Sequence, residues 1–159
     1  MATRTRGITT MGWLLRGAAA GAAGTTALNV VTYLDMAVRG RPASSTPERT
    51  VEVLAETAHL TVPGGGVMRE SRLTGLGALT GLVAGVGVGG LLGLARASGF
   101  RAGTLLTTGT VLISTNGPMT VLRVTDPRTW SLVDWISDLV PHLAYAAVVT
   151  TTMDTFGRP

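Results

Sequence analysis

Asp138 and His142 stand four residues apart late in the chain, and Asp134 lies four residues before them. On a helix that spacing puts all three on one face, and an imidazole beside a carboxylate is the arrangement of a proton relay. The structural alternative, and the simpler one, is a hydrogen-bonded histidine where Pro141 bends the start of a helix. Asp35 is the one carboxylate inside an apolar run, and an ionisable residue at membrane depth marks an ion or proton site. Arg39 follows it by four residues, in the order that favours an i,i+4 pair, so an interfacial ion pair explains it more simply. Asn116-Gly117-Pro118 interrupts another apolar run. Proline there frees a backbone carbonyl, and broken helices line the substrate sites of many transporters, although proline kinks also occur with no ligand. Asn29 and Tyr33, again four apart, suit hydrogen bonds between helices.

Other chemistry is missing. The chain has no cysteine, so it has no disulfide, thiolate metal site or cysteine nucleophile. His59 is remote from His142 in sequence and sits where it can cap the end of a surface helix; neither gathers enough ligands for a metal, and no cofactor is expected. The run Gly85 to Gly90 spells G-x-G-x-x-G, but a dinucleotide fingerprint needs a preceding strand and a later acidic partner. Here the match falls in the middle of an apolar helix. No nucleophile elbow, phosphate loop or HExxH occurs either. An enzyme is not expected.

The elements that must hold these residues are dominated by Thr74 to Ala95, a charge-free run of about 22 residues. As a helix it reaches about 33 Å, enough to cross a hydrocarbon core of about 30 Å. Gly77, Gly81, Gly85, Gly89 and Gly93 recur every fourth position and leave a furrow without side chains along it. In water each glycine would weaken a helix by about 0.8–1.0 kcal/mol relative to alanine, whereas in lipid the helix is enforced and the glycines become a contact surface. A second run, 17–38, carries Gly17, Gly21 and Thr25 at the same spacing and is the natural partner for that furrow. It is too long for the apolar core of a signal peptide and is read as an uncleaved helix. Runs 103–122 and 135–153 complete four spans.

Composition agrees. Hydrophobic residues make up 45% and charged residues only 14%, against about 25% charge in a soluble domain. The net charge of +4 would suggest nucleic acid in a soluble protein, but all the basic residues are arginines at the ends of apolar runs, where they anchor helices at an interface. No nucleic-acid partner is expected. Trp130 and Trp135 sit where an aromatic belt would place them, and Trp13 lies just before the first apolar run.

Between the first two runs a polar connection carries its own helix, 47–60. Thr46 is a good N-cap with Pro47 at the first helical position, and Ser45 with Glu48 offers a capping box in another register. Val51, Leu54, Ala55 and Ala58 form one apolar stripe, as in a helix lying on a membrane surface or capping the bundle. A cytoplasmic N-terminus would put Arg4, Arg6, Arg16, Arg96, Arg101 and Arg158 inside; the remaining arginines nearly balance them, so orientation is only slightly favoured.

Three short runs, Gly40-Arg41-Pro42-Ala43-Ser44, Asn116-Gly117-Pro118-Met119 and Pro141-His142-Leu143-Ala144-Tyr145, resemble those of small uncharacterised four-helix membrane proteins of high-GC bacteria. The resemblance covers most of the chain, implies a multi-pass protein of the bacterial inner membrane and supplies no activity. The expected architecture is all-α: one membrane domain of four helices packed through Gly/Ala-rich faces, plus the surface helix. Its partners are the lipid bilayer and, if the glycine face works between protomers and not within one, a second copy or a larger membrane complex. The expected role is a non-enzymatic accessory or assembly subunit. The alternative is a small transporter or channel with a polar path near Asn116, Pro118, Asp35, Asp138 and His142.

Overall fold

The structure, a computed structural model, describes residues 8–157; Arg4, Arg6 and Arg158, used above to weigh orientation, lie outside them. Five α-helices follow in order: α1 (Thr10–Arg39), α2 (Thr46–Thr57), α3 (Gly66–Ala97), α4 (Thr104–Val121) and α5 (Leu132–Phe156), with a 3-10 turn at Pro127–Thr129. No strand occurs among the described residues. Two helices, α3 and α5, are long and apolar enough to cross a membrane. In α1 and α4 threonine, glycine and asparagine dilute the hydropathy.

The helix ends follow local chemistry. Thr9 caps α1 by accepting from the Gly12 amide at 3.1 Å, so that helix begins at Thr10, ahead of the expected apolar run. It stops where Gly40 turns left-handed, with φ of 64°, a conformation that costs glycine little. Ser131 and Asp134 form a capping box at the start of α5, each side chain taking the other's backbone amide. That helix continues without a break through Pro141. The box proposed for Ser45 and Glu48 does not form: Ser45 makes no side-chain cap, and Ser44 accepts from the Thr46 amide instead, at 3.2 Å. The expected interruption at Asn116-Gly117-Pro118 is also absent. Pro118 falls in the last turn of α4, where it removes one amide bond, to the carbonyl of Ser114, and the helix runs on to Val121.

Helix α1 runs antiparallel to both α3 and α5. Its Gly17 faces Gly89 and Gly93 of α3, and Gly21 faces Gly85 and Gly89. Arg16 donates to the carbonyl of Phe156, near the end of α5, while Arg39 donates to Ser137, near its start. Helix α4 is antiparallel to α5, tied by Thr104 to Thr150 and by Asn116 to Asp138. Helix α2 doubles back along the first half of α3, where Glu52 accepts from Arg69 at 2.7 Å.

The interior is made of small residues. Gly17, Ala20, Gly21 and Gly24 are buried in α1, Gly85, Gly89, Gly90 and Gly93 in α3, and Thr107, Thr108 and Val111 in α4. Tyr145 is the largest fully buried side chain. The large aliphatic residues point outward: Leu105 is 83% exposed, Val121 82% and Ile113 73%. Two buried threonine hydroxyls bond back to the carbonyl one turn earlier, Thr25 to Gly21 at 2.9 Å and Thr108 to Thr104 at 2.9 Å, so they can sit in apolar surroundings, whereas the fully buried Thr107 hydroxyl has no partner among the described residues.

Candidate functional site

The glycine row meets two different partners along its length. A β-carbon placed on Gly89 would lie 2.6 Å from the Cα of Gly21 and 2.7 Å from its nitrogen, and closer still to the Gly17 carbonyl oxygen. One on Gly93 would strike the Trp13 carbonyl, and one on Gly85 the Thr25 hydroxyl. Over this stretch α1 and α3 touch backbone to backbone. One turn further the contact ends, because a β-carbon on Gly81 would meet nothing within 4 Å. At Gly77 it would meet Pro47, 2.9 Å away, in the first turn of α2. Sequence reasoning assigned the whole row to one helix. The row divides because the facing residues of α1 grow from Gly17 and Gly21 to Thr25 and then to Leu28 and Thr32, wedging the two helices apart.

A cavity of about 370 Å³ fills the wedge, bordered by all five helices. Asn29 and Tyr33 of α1, Glu48 of α2, Gly81 of α3, Thr115 of α4 and His142 of α5 reach it. A cleft of about 410 Å³ shares Thr32, Ser44, Pro47 and His142 with this chamber and reaches Asn116, Asp134 and Asp138. A third cavity, about 320 Å³, lies between α3 and α4 beside Pro118 and Gly81. All three meet at Pro47.

His142 and its neighbours form one connected polar cluster. The ring Nδ1 lies 2.7 Å from the Asp138 carbonyl oxygen, which can only accept, so Nδ1 carries a proton. Nε2 lies 3.2 Å from the Thr115 hydroxyl, which is also 2.9 Å from the Val111 carbonyl. A hydroxyl has one proton to give. With a neutral ring Thr115 donates to Nε2; with a charged ring Nε2 donates and Thr115 turns to Val111. The Asp138 carboxylate, 3.5 Å from Nδ1, accepts from Asn116 at 2.8 Å. Thus Asn116, Asp138 and His142 are joined across α4 and α5, as a relay would require, although the same bonds also tie the two helices together.

Asp35 stands apart. Its carboxylate takes two bonds from Arg39, at 2.6 and 2.7 Å, and one from Arg41 at 2.6 Å, while Arg39 also donates to Ser137. This cluster fastens the end of α1 to the following loop and to α5, and Asp35 borders neither the chamber nor the cleft. Tyr145 donates to the Gly85 carbonyl at 2.6 Å, closing the floor of the chamber where the glycine contact begins. Arg69 and then Arg49 hold the Glu52 carboxyl below its ordinary value of 4.5 by hydrogen bonding to it, which pins α2 against α3. His59 lies just past α2 in a left-handed turn, φ 55°. No group of three or more metal-ligating side chains occurs among the described residues.

Glu48 is the residue sequence reasoning missed. It read as a capping partner, yet its Oε2 is buried with no hydrogen-bond partner among the described residues, and the side chain borders the chamber. The only signal in the sequence was its place beside Pro47. Comparison with protein-family profiles, curated proteins and solved structures finds no match, so the geometry itself carries the functional reading.

Proposed function

We propose that the protein spans the bacterial inner membrane four times and handles a small solute in the chamber beneath its glycine contact, without catalysing a reaction. Three observations support the membrane setting. Large aliphatic side chains face outward while glycine, alanine and threonine fill the interior, the inverse of a water-soluble core. Charges collect at two levels: Arg16, Arg96 and Asp154 toward one end, and Asp35, Arg39 and Asp134 toward the other. On α1 the charge-free stretch between Arg16 and Asp35 spans about 28 Å at about 1.5 Å per residue, close to a hydrocarbon core. Helices α1 and α4 then cross despite their lower hydropathy, because Thr25, Thr107 and Thr108 face the bundle and the hydroxyls of Thr26, Thr110 and Thr120 donate to carbonyls one turn earlier.

The observation that carries the solute reading is the chamber itself. An accessory subunit working through the glycine furrow needs that furrow free for a partner. Here α1 and the start of α2 fill it, and its one open position, Gly81, faces the chamber. Cavities that take small molecules enclose about 300–1,000 Å³, with mostly apolar walls and a few polar groups, and this one has that character. Because the chain has no cysteine, the reading is testable by single-cysteine labelling in native membranes. Asn29→Cys should react with a membrane-impermeant thiol reagent added from the α2 side, whereas Ile113→Cys, on the outward face of α4, should stay protected. An inert Asn29→Cys, or equal labelling of both, would count against it.

A further inference from the structure

We infer that the chamber selects a small organic cation with an apolar body, its charge met by the carboxylate of Glu48. This rests on the solute-handling reading above and adds the class of solute. Glu48 is the one carboxylate bordering the chamber, and no arginine borders it. The arginines nearest in sequence are committed elsewhere: Arg41 to Asp35 at 2.6 Å, and Arg49 to Glu52 at 3.2 Å. Arg69, facing α2 from α3, is also committed to Glu52, at 2.7 Å. The Glu48 Oε2 is therefore buried with neither a hydrogen-bond donor nor a counter-charge from the described residues. An acceptor in that state is costly unless something arrives to satisfy it.

The rest of the wall describes what arrives. Leu28, Met36, Leu82 and Val111 supply apolar surface, and Tyr33 adds an aromatic ring of the kind whose face attracts cations. The His142 ring is not offered to the ligand, since both of its nitrogens are engaged by Asp138 and Thr115. A divalent metal would need further acidic or imidazole ligands, and none gather among the described residues. An anion would face an unscreened carboxylate. A compact ammonium ion with alkyl substituents satisfies both the charge and the walls.

The test uses the full chain in nanodiscs carrying Asn29→Cys. It compares a cationic trimethylammonium-ethyl, a neutral hydroxyethyl and an anionic sulfonatoethyl methanethiosulfonate. Each rate is normalised to that reagent's rate with 2-mercaptoethanol. The cationic reagent should outpace the anionic one by about tenfold or more, because a carboxylate lining the same chamber attracts the one and repels the other. Adding Glu48→Gln should bring the ratio close to one, while Glu48→Asp, which keeps the charge, should retain most of it. Millimolar tetramethylammonium chloride should protect the cysteine in the Glu48 background and not in Glu48→Gln. Equal normalised rates for all three reagents, or a ratio unchanged by Glu48→Gln, would overturn the cation inference and leave the chamber standing. No reaction with any reagent would overturn both. Matched melting profiles of the variants guard against reading misfolding as lost selectivity.

Discussion

Gly89→Ala tests the packing most sharply, because the new methyl group has nowhere to go. Its β-carbon would stand 2.6 Å from the Gly21 Cα and 2.7 Å from the Gly21 nitrogen, where carbon contacts are comfortable only at about 3.5–4.0 Å. The obstructing atoms are backbone on a helix, not the end of a flexible side chain, so relief requires α1 and α3 to move apart by about 1 Å or rotate. Either motion loosens the neighbouring contacts at Gly17 and Gly93 as well. Overpacking of this kind costs about 1–3 kcal/mol, and the upper part of that range is expected here. Gly87→Ala is the matched control: it lies on the same helix, two residues away, and its β-carbon would meet nothing within 4 Å. Thermal melting of the purified protein in mild detergent, followed by circular dichroism and by loss of the monodisperse peak, should show Gly89→Ala clearly lowered and Gly87→Ala unchanged. Equal melting of the two variants would refute the backbone-to-backbone contact.

The remaining expectations concern the site and its supports. Tyr145→Phe removes the bond to the Gly85 carbonyl and should lower stability by about 0.5–1.5 kcal/mol in the same melting assay; no change would mean that the hydroxyl is satisfied elsewhere. Asp35→Asn should loosen the junction of α1, the following loop and α5, seen as faster amide exchange near Arg39, while leaving Asn29→Cys labelling unchanged; altered labelling would place Asp35 in the solute site after all. The depressed Glu52 carboxyl has a clear pH consequence. A group held below its unfolded value stabilises the fold above that value and loses the contribution as pH falls through the folded one. Amide protection in α2 should therefore hold from pH 7 to 5 and weaken below about 4.5, and Glu52→Gln should remove that pH dependence. Protection that instead declines above pH 6 would point to a different group.

How far the sequence could be read follows from what each feature depends on. The charge-free runs and the capping chemistry of Ser131 and Asp134 are local, and they locate α1, α3, α4 and α5 closely enough to identify them. The pairing of Gly17 and Gly21 with the glycine row is legible because both faces repeat every fourth residue. The division of that row was not legible, since it depends on which residues of α1 oppose Gly81, and no periodicity within α3 carries that information. Asn116-Gly117-Pro118 looked like a break because proline removes a backbone donor. The loss is one amide bond, and α4 runs through Pro118 as α5 runs through Pro141. Asp35 drew attention as an acid inside an apolar run, and two arginines hold it. Glu48 drew none, because its carboxylate gains meaning only when α2 folds back and sets it against residues of four other helices.

The most direct measurement asks whether the glycine furrow is filled by the chain's own first helix. In the structure a β-carbon on Gly90 would lie 3.2 Å from the Leu14 side chain, so Leu14→Cys with Gly90→Cys brings two thiols together in a chain that has no other. Treatment with a short thiol-to-thiol crosslinker in native membranes, followed by denaturing electrophoresis, separates the outcomes. The account predicts a cross-linked monomer of altered mobility at every expression level. A cross-linked dimer, or no linkage at all, would contradict it.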